Sequence, residues 1–480
     1  MLFNSTSFLV FFPVVTFLYF LFPHRLRWGL LLLASCVFYM AFIPSYILIL
    51  ATTIVVDYFA GIEIEKSTGR RKRLFLILSI LSNIGFLAFF KYAGFLDANI
   101  AAIAKFFDWN YSLHALGIIL PVGLSFHTFQ ALSYIIEVYR GKQKAERHFG
   151  IYALYVMFFP QLVAGPIERP QNLLHQFREV HRIDKERMWS GLRLMLWGFF
   201  KKVAVADTLA QGVNVIYNNT ADFTGTSFII ATIFFAFQIY CDFSGYSDIA
   251  RGSARVLGFR LMLNFNSPYH SRSISEFWTR WHISLSTWFR DYVYISLGGN
   301  RVSKLRMYMN LLIVFIVSGF WHGANWTFII WGALHGIYLV SSLLLKNFRE
   351  GVARLFTLDK YPLVRSGLAI ATTFVLVNIG WVFFRANSVG DAFYVVTHLF
   401  MDLSADSYSV TLTRGTTWMY SALLGIAAVL AVEIVRSVPA WKACAIAKPA
   451  YMRGLGYAVL LIVILLSGNT SENQFIYFQF

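Results

Sequence analysis

The sequence predicts an all-α polytopic membrane protein, and three observations predict it. Hydrophobic residues make up 58% of the 480 positions and charged residues only 14%, whereas charged residues are about a quarter of an ordinary soluble chain. Apolar runs near membrane-spanning length recur from one end of the chain to the other. The basic residues, which give a formal charge of +17, gather in alternate loops between those runs.

The runs extend over Ser7 to Phe22, Trp28 to Ile62, Leu74 to Phe95, Leu116 to Val138, Ile151 to Val163, Met188 to Ile216 and Phe228 to Ile249. They continue over Tyr308 to Leu345, Leu368 to Phe384, Trp418 to Val435 and Leu455 to Leu466. A crossing needs about 20 apolar residues, so these runs predict eleven or twelve transmembrane or re-entrant helices. The first run has no basic segment before it and no small-residue cleavage pattern after it, so it is expected to stay in the mature chain. No linker or low-complexity tract divides the sequence, which predicts one membrane-embedded domain over 1–480. Within it, 1–114 supplies N-terminal helices, 115–345 a core that carries the polar motifs, and 346–480 C-terminal helices. Cys36, Cys241 and Cys444 form no disulfide or C-x-x-C framework.

A net positive charge can mark a nucleic-acid binder, but here it follows the positive-inside pattern, so no nucleic-acid partner is expected. Lys66, Arg70, Arg71, Lys72 and Arg73 mark one inward loop, and Arg140, Lys142, Lys144 and Arg147 a second. The block from Arg251 to Arg306 is also inward, as are Lys346 to Arg365 and Arg436 to Arg453. The loops around Asp97 to Leu113 and Arg385 to Thr417 are poorer in basic residues and fit the outer face. This alternation places both termini outside.

The middle third is interrupted. Phe159-Pro160-Gln161 and Gly165-Pro166 predict a break and a short re-entrant or interfacial piece, because proline removes a helix hydrogen bond and clashes with the preceding turn. The polar stretch Glu168 to Arg187 is expected along the inner surface. Ser275 to Leu297 mixes Trp278, Trp281, Trp288 and Phe289 with Arg280 and Arg290, a composition suited to a helix at the headgroup boundary.

An ionisable group inside a membrane segment is costly, about 2.5 kcal/mol or more for a charge at a helix centre, and usually faces protein or a water-filled cavity. His322 lies within such a segment, flanked by Gly319 and Gly323, which permit close backbone approach or a local break. Two readings follow: a general base that takes a proton from an acceptor hydroxyl, or a histidine hydrogen-bonded between helices. His282, in Arg280-Trp281-His282, is either a second member of the site or part of an interfacial anchor. Asp242 and Asp248 could bind substrate, pair with Arg251 or Arg255, or cap a broken helix; His127 and Gln130, after Pro121 and Gly123, are equally open.

Rival chemistries lack their spacings. Gly123-Leu124-Ser125-Phe126-His127 does not complete a G-x-S-x-G elbow. There is no H-E-x-x-H helix, P-loop or G-x-G-x-x-G, so no metal, ATP or dinucleotide site is expected.

Six segments stand out: Pro121 to Gln130, Phe158-Phe159-Pro160-Gln161-Leu162-Val163-Ala164-Gly165-Pro166-Ile167, Cys241 to Asp248, Asn264-Phe265-Asn266-Ser267-Pro268-Tyr269, Glu276 to Ser286, and Gly319-Phe320-Trp321-His322-Gly323. Together they resemble the membrane-bound O-acyltransferase family (MBOAT), in its bacterial alginate O-acetylase branch. The resemblance covers essentially the whole chain. It implies a ring of helices around a funnel or tunnel, a catalytic histidine at His322, and His282 in the same active region. The candidate substrate contacts are Asp242, Trp321, Asn325, Trp281, Arg280, His127 and Gln130. It further implies a multi-pass protein of the bacterial inner membrane with no bound cofactor. The donor would be acetyl-CoA or another cytoplasmic acetyl thioester, and the acetyl would leave through a periplasmic SGNH-like acetyltransferase partner for an exported polysaccharide. Alginate is the first expectation; cellulose or peptidoglycan would use the same chemistry, and a transporter or scaffold of an export complex is the non-enzymatic alternative.

Overall fold

A computed structural model describes residues 1–111, 121, 123–403, 415–467 and 475–476. The start of the Leu116 run, part of the Arg385 to Thr417 loop and most of the stretch after Ser467 lie outside the described residues. The described residues are helical throughout their ordered elements, and none forms a strand.

Eight of the described helices are long and apolar enough to span a bilayer: Pro44–Lys66, Gly69–Phe106, Gly225–Leu257, Lys304–His322, Trp326–Leu344, Pro362–Arg385, Thr416–Ser437 and Ala450–Ser467. The shorter apolar helix Thr6–Leu21 joins them. The chain is a multi-pass membrane protein. The expected count of eleven or twelve included broken pieces, and two of the expected runs are broken in this way. Ile151 to Val163 divides at Phe158, whose backbone leaves the helical region between Phe149–Met157 and Phe159–Leu162. Met188 to Ile216 is interrupted by a π-helical stretch, Phe200–Ala206. Apolar side chains such as Phe17, Leu81, Leu424 and Leu466 are exposed, and no residue of Ala450–Ser467 is buried. A helix that is apolar on every side has lipid as its natural surrounding.

The chain forms two compact units. The first comprises 1–195 and 246–262. Ser5 caps Thr6–Leu21 by accepting from the Phe8 N–H, and Phe3, Phe8 and Phe38 pack into an aromatic core beside Phe159. Gly61 allows helix Ile47–Lys66 to meet Leu124–Tyr139, because a Cβ there would come within 2.9 Å of the Tyr134 ring. The buried Asp57 accepts from Ser79 Oγ at 2.5 Å and from Asn83 Nδ2 at 2.9 Å, which satisfies a carboxyl group that lipid could not.

The second unit comprises 196–245 and 263–480. Its central motif is the helical hairpin of Lys304–His322 and Trp326–Leu344. Glycines make the contact close. A Cβ on Gly319 would lie 2.2 Å from the Phe328 carbonyl oxygen, and one on Gly332 would lie 2.3 Å from that of Phe315. Small residues that admit backbone to backbone are the usual means of joining helices in lipid, where hydrophobicity supplies no drive between them.

Candidate active site

His322 is the last residue of Lys304–His322. Gly323 turns the chain to extended geometry, and a Cβ there would strike the Phe328 ring at 2.1 Å. Asn325 restarts the helix on the other side: its side chain accepts from the Thr327 N–H at 3.0 Å, a capping bond. The break expected near His322 is therefore a turn between antiparallel helices, three residues long. The imidazole is 4% exposed and enclosed by Trp321, Trp331 and Phe384, with ring centroids 4.8, 5.0 and 5.4 Å away.

The amphipathic stretch expected as one helix is two short α-helices, Ile274–Arg280 and Ile283–Phe289, with a π-helical turn, Arg290–Tyr294, after them. Between them His282 stands in the left-handed region, φ 42° and ψ 54°. A non-glycine residue there is strained, by roughly 1–2 kcal/mol, and persists only where its surroundings hold it. Asn264 does so. Its carbonyl accepts from the Ile283 N–H at 2.9 Å, while its side-chain Oδ1 accepts from Ser284 N at 3.2 Å and Ser284 Oγ at 2.9 Å. The same Oδ1 is 3.1 Å from His282 Nδ1. An amide oxygen only accepts, so Nδ1 carries the proton and Nε2 is the basic nitrogen. Burial pushes the His282 pKa down to about 3, which keeps the ring neutral.

A chain of aromatic contacts leads from one histidine to the other. Phe243 and Phe265 flank His282, and Phe265 meets Trp281 edge-on. Trp281 lies 5.0 Å from Trp381, which stacks on Trp331 at 6.0 Å; Trp331 faces His322. Tyr269 fixes this column by accepting from Trp381 Nε1 at 3.2 Å and donating to the Ala236 carbonyl at 2.6 Å.

The other candidates fall into different settings. Arg280 pairs with Glu276 at 2.7 Å. Trp281 and Trp321 are buried in the aromatic packing, and Asn325 is a helix cap. Asp242 pairs with Lys202 at 2.7 Å rather than with Arg251 or Arg255, and accepts from the Ile476 N–H at 2.7 Å. Lys202 also holds Asp207 at 2.8 Å, so this is a buried ion cluster. Asp248 pairs with Arg251 at 3.1 Å. His127 and Gln130, on helix Leu124–Tyr139, and Asp248 belong to the first unit, whereas His322, His282, Asp242, Trp321, Asn325, Trp281 and Arg280 belong to the second. Gln130 donates to the Tyr155 carbonyl and so ties two helices together.

Sequence reasoning passed over Asn264 as a site residue. Its motif was visible, but nothing in a linear spacing of 18 residues shows that one side chain braces His282 and Ser284 together. The buried Tyr240–Glu433 hydrogen bond, with His270 Nδ1 3.4 Å from Glu433, was equally hidden by its separation of 193 residues. Among the described residues, no three His, Cys, Asp or Glu side chains gather to hold a metal ion.

Comparison with known proteins adds direct evidence. Residues 144–358 match the model of MBOAT, the membrane-bound O-acyltransferase family. The chain is 42% identical over 405 residues to the probable alginate O-acetylase AlgI of Pseudomonas aeruginosa, covering 83% of this chain and 75% of the relative. It is 41% identical to the corresponding protein of Azotobacter vinelandii, covering 83% and 78%. The peptidoglycan O-acetyltransferase of Helicobacter pylori is 36% identical over 430 residues, covering 82% and 79%.

Proposed function

Because the chain belongs to the membrane-bound O-acyltransferase family and is an O-acyltransferase, we propose that it transfers acetyl from a cytoplasmic thioester, acetyl-CoA or an equivalent, toward an exported polysaccharide at the bacterial inner membrane. Alginate is the favoured polymer, since the relatives at 42% and 41% identity are named for alginate. The peptidoglycan enzyme at 36% identity supports the same chemistry on another glycan. The acetyl group passes outward to a periplasmic SGNH-like acetyltransferase, and both chain termini face the periplasm.

The observation that carries this reading is the placement of His322 at the broken end of a membrane helix, inside an aromatic enclosure that joins it to a second buried histidine. In the proposed step neutral His322 removes the proton of an acceptor hydroxyl as its oxygen bonds to the acetyl carbonyl carbon. The C–S bond then breaks, and the proton returns from His322 to the departing sulfur. The substrate's binding sets the geometry, and general-base catalysis of this kind contributes about 10²- to 10⁴-fold. His282 has its basic nitrogen fixed at Nε2 by Asn264, which suits it to accept a hydrogen bond from a substrate hydroxyl.

Purified full-length protein in lipid nanodiscs, supplied with acetyl-CoA and a hydroxyl acceptor, tests the reading. His322→Gln should abolish thioester consumption while leaving the melting temperature within a few degrees. Unchanged consumption in a folded His322→Gln protein would refute His322 as the base and assign proton removal to another group, whereas a folded wild type that consumes no thioester would favour a transport or scaffold role.

A further inference from the structure

The second unit contains a feature that acetyl transfer does not use. Between the spans Trp326–Leu344 and Pro362–Arg385 runs the helix Lys346–Leu355, followed by a short turn, Leu358–Lys360. Because it connects two membrane spans, this segment lies at a membrane face. Its apolar side chains are not tucked inward: Phe348 is 67% exposed, Leu355 77%, Phe356 65% and Leu363 87%. In water such a cluster would be unfavourable, whereas an amphipathic helix at the acyl-chain boundary buries those side chains in lipid.

Beside that apolar rim is a cavity of roughly 640 Å³ whose lining includes Arg272, Lys346, Arg349 and Arg365, with Glu350 as its acidic member. Part of this charge is already used. Arg365 pairs with Asp359, Glu350 lies 3.9 Å from Arg354, and Arg349 donates to the Ser342 carbonyl at 2.8 Å. The side chains of Arg272 and Lys346 have no ion-pair partner among the described residues. Two uncommitted cations and a third at one cavity, bordered by apolar side chains at a membrane face, call for a ligand with a phosphate at one end and hydrocarbon at the other.

We propose that this cavity seats the headgroup of an anionic phospholipid, with its phosphate between Arg272, Lys346 and Arg349 and its acyl chains along Phe348 and Leu363. A soluble anion would satisfy the charges but give the exposed apolar rim nothing to cover it. The site is independent of the histidines and of the acyl-transfer reading.

Native mass spectrometry of the full-length protein in neutral detergent, titrated with phosphatidylglycerol or phosphatidylcholine, tests this. One phosphatidylglycerol should be retained in preference to phosphatidylcholine. Each basic residue near an anionic lipid contributes about 1 kcal/mol, so the double variant R272Q/K346Q should bind phosphatidylglycerol about thirtyfold more weakly, and R272K/K346R should restore it. Equal retention of the two lipids, or unchanged selectivity in a folded R272Q/K346Q, would overturn the proposal. So would displacement of phosphatidylglycerol by coenzyme A, which would assign the cavity to a thioester's phosphates. If R272Q/K346Q failed to fold, the lipid preference of the wild type and of R272K/K346R would decide.

Discussion

Asn264 and His282 form a brace: the amide oxygen of one sits 3.1 Å from Nδ1 of the other, at the point where the backbone turns left-handed between two short helices. The same oxygen takes the N–H and hydroxyl of Ser284, so one side chain sets the tautomer of the imidazole and the path of the chain. Removing it should disturb both.

Asn264→Ala leaves those three donors without their buried acceptor, which should lower stability by about 1–3 kcal/mol. Thioester turnover should fall at least tenfold, with kcat affected more than KM. A melting curve and a steady-state assay on the same nanodisc sample measure the two effects.

The left-handed geometry at position 282 gives an opposite pair of substitutions. Glycine adopts φ 42° without strain, so His282→Gly should lose activity and be destabilised only by the cavity that its fully buried ring leaves and by the lost bond to Asn264. His282→Val adds a β-branched side chain to the same backbone and should destabilise by about 2 kcal/mol or more. Equal melting temperatures for the two variants would show that the local backbone is free to relax.

Helix contact in the hairpin offers a steric test. Gly319→Ala places a methyl group 2.2 Å from the Phe328 carbonyl oxygen, a backbone atom that cannot swing aside. Overpacking of this kind should destabilise by about 1–3 kcal/mol and reduce turnover by displacing His322. Gly351→Ala, which meets nothing within 4 Å, is the control.

The ion cluster of Lys202 with Asp207 and Asp242 should respond to loss of its cation. Lys202→Met leaves two buried carboxylates without their partner, a change of about 3–5 kcal/mol. Size-exclusion profiles should show little monodisperse protein, and adding Asp242→Asn should recover part of it.

Glu168 supplies the pH dependence. Burial is the main cause that raises its carboxyl pKa from 4.5 to about 7, against the opposing Met262 N–H, 2.5 Å from Oε1. The folded state therefore holds a proton that the unfolded chain releases, so Glu168 favours folding below pH 4.5 and loses that contribution as pH rises through 7. Glu168→Gln keeps the neutral form and the Met262 bond. Its melting temperature should pull ahead of the wild type progressively from pH 4.5 to pH 7, and parallel curves would contradict the assignment.

The sequence revealed the fold class through hydrophobic run length and basic alternation, because lipid imposes both directly on composition. His322 stood out as an ionisable residue flanked by glycines inside an apolar run, while its role stayed open between a base and a hydrogen bond between helices. Residues whose settings depend on distant partners were not. Asp242 looked as able to meet Arg251 as any other cation, yet a π-helical stretch brings Lys202 to it instead. The 275–297 stretch has helical spacing throughout, yet it divides at His282, where Ile283 and Ser284 donate to Asn264. Tertiary hydrogen bonds won over local periodicity there.

The carbonyl-to-glycine contact at positions 319 and 332 has a mechanical consequence. Helices meshed at backbone level cannot slide past each other by a fraction of a turn, so the hairpin has one register. The depth of His322 beneath either lipid surface is then a property of the pair, and a thicker or thinner bilayer must tilt both helices together rather than draw the imidazole out alone.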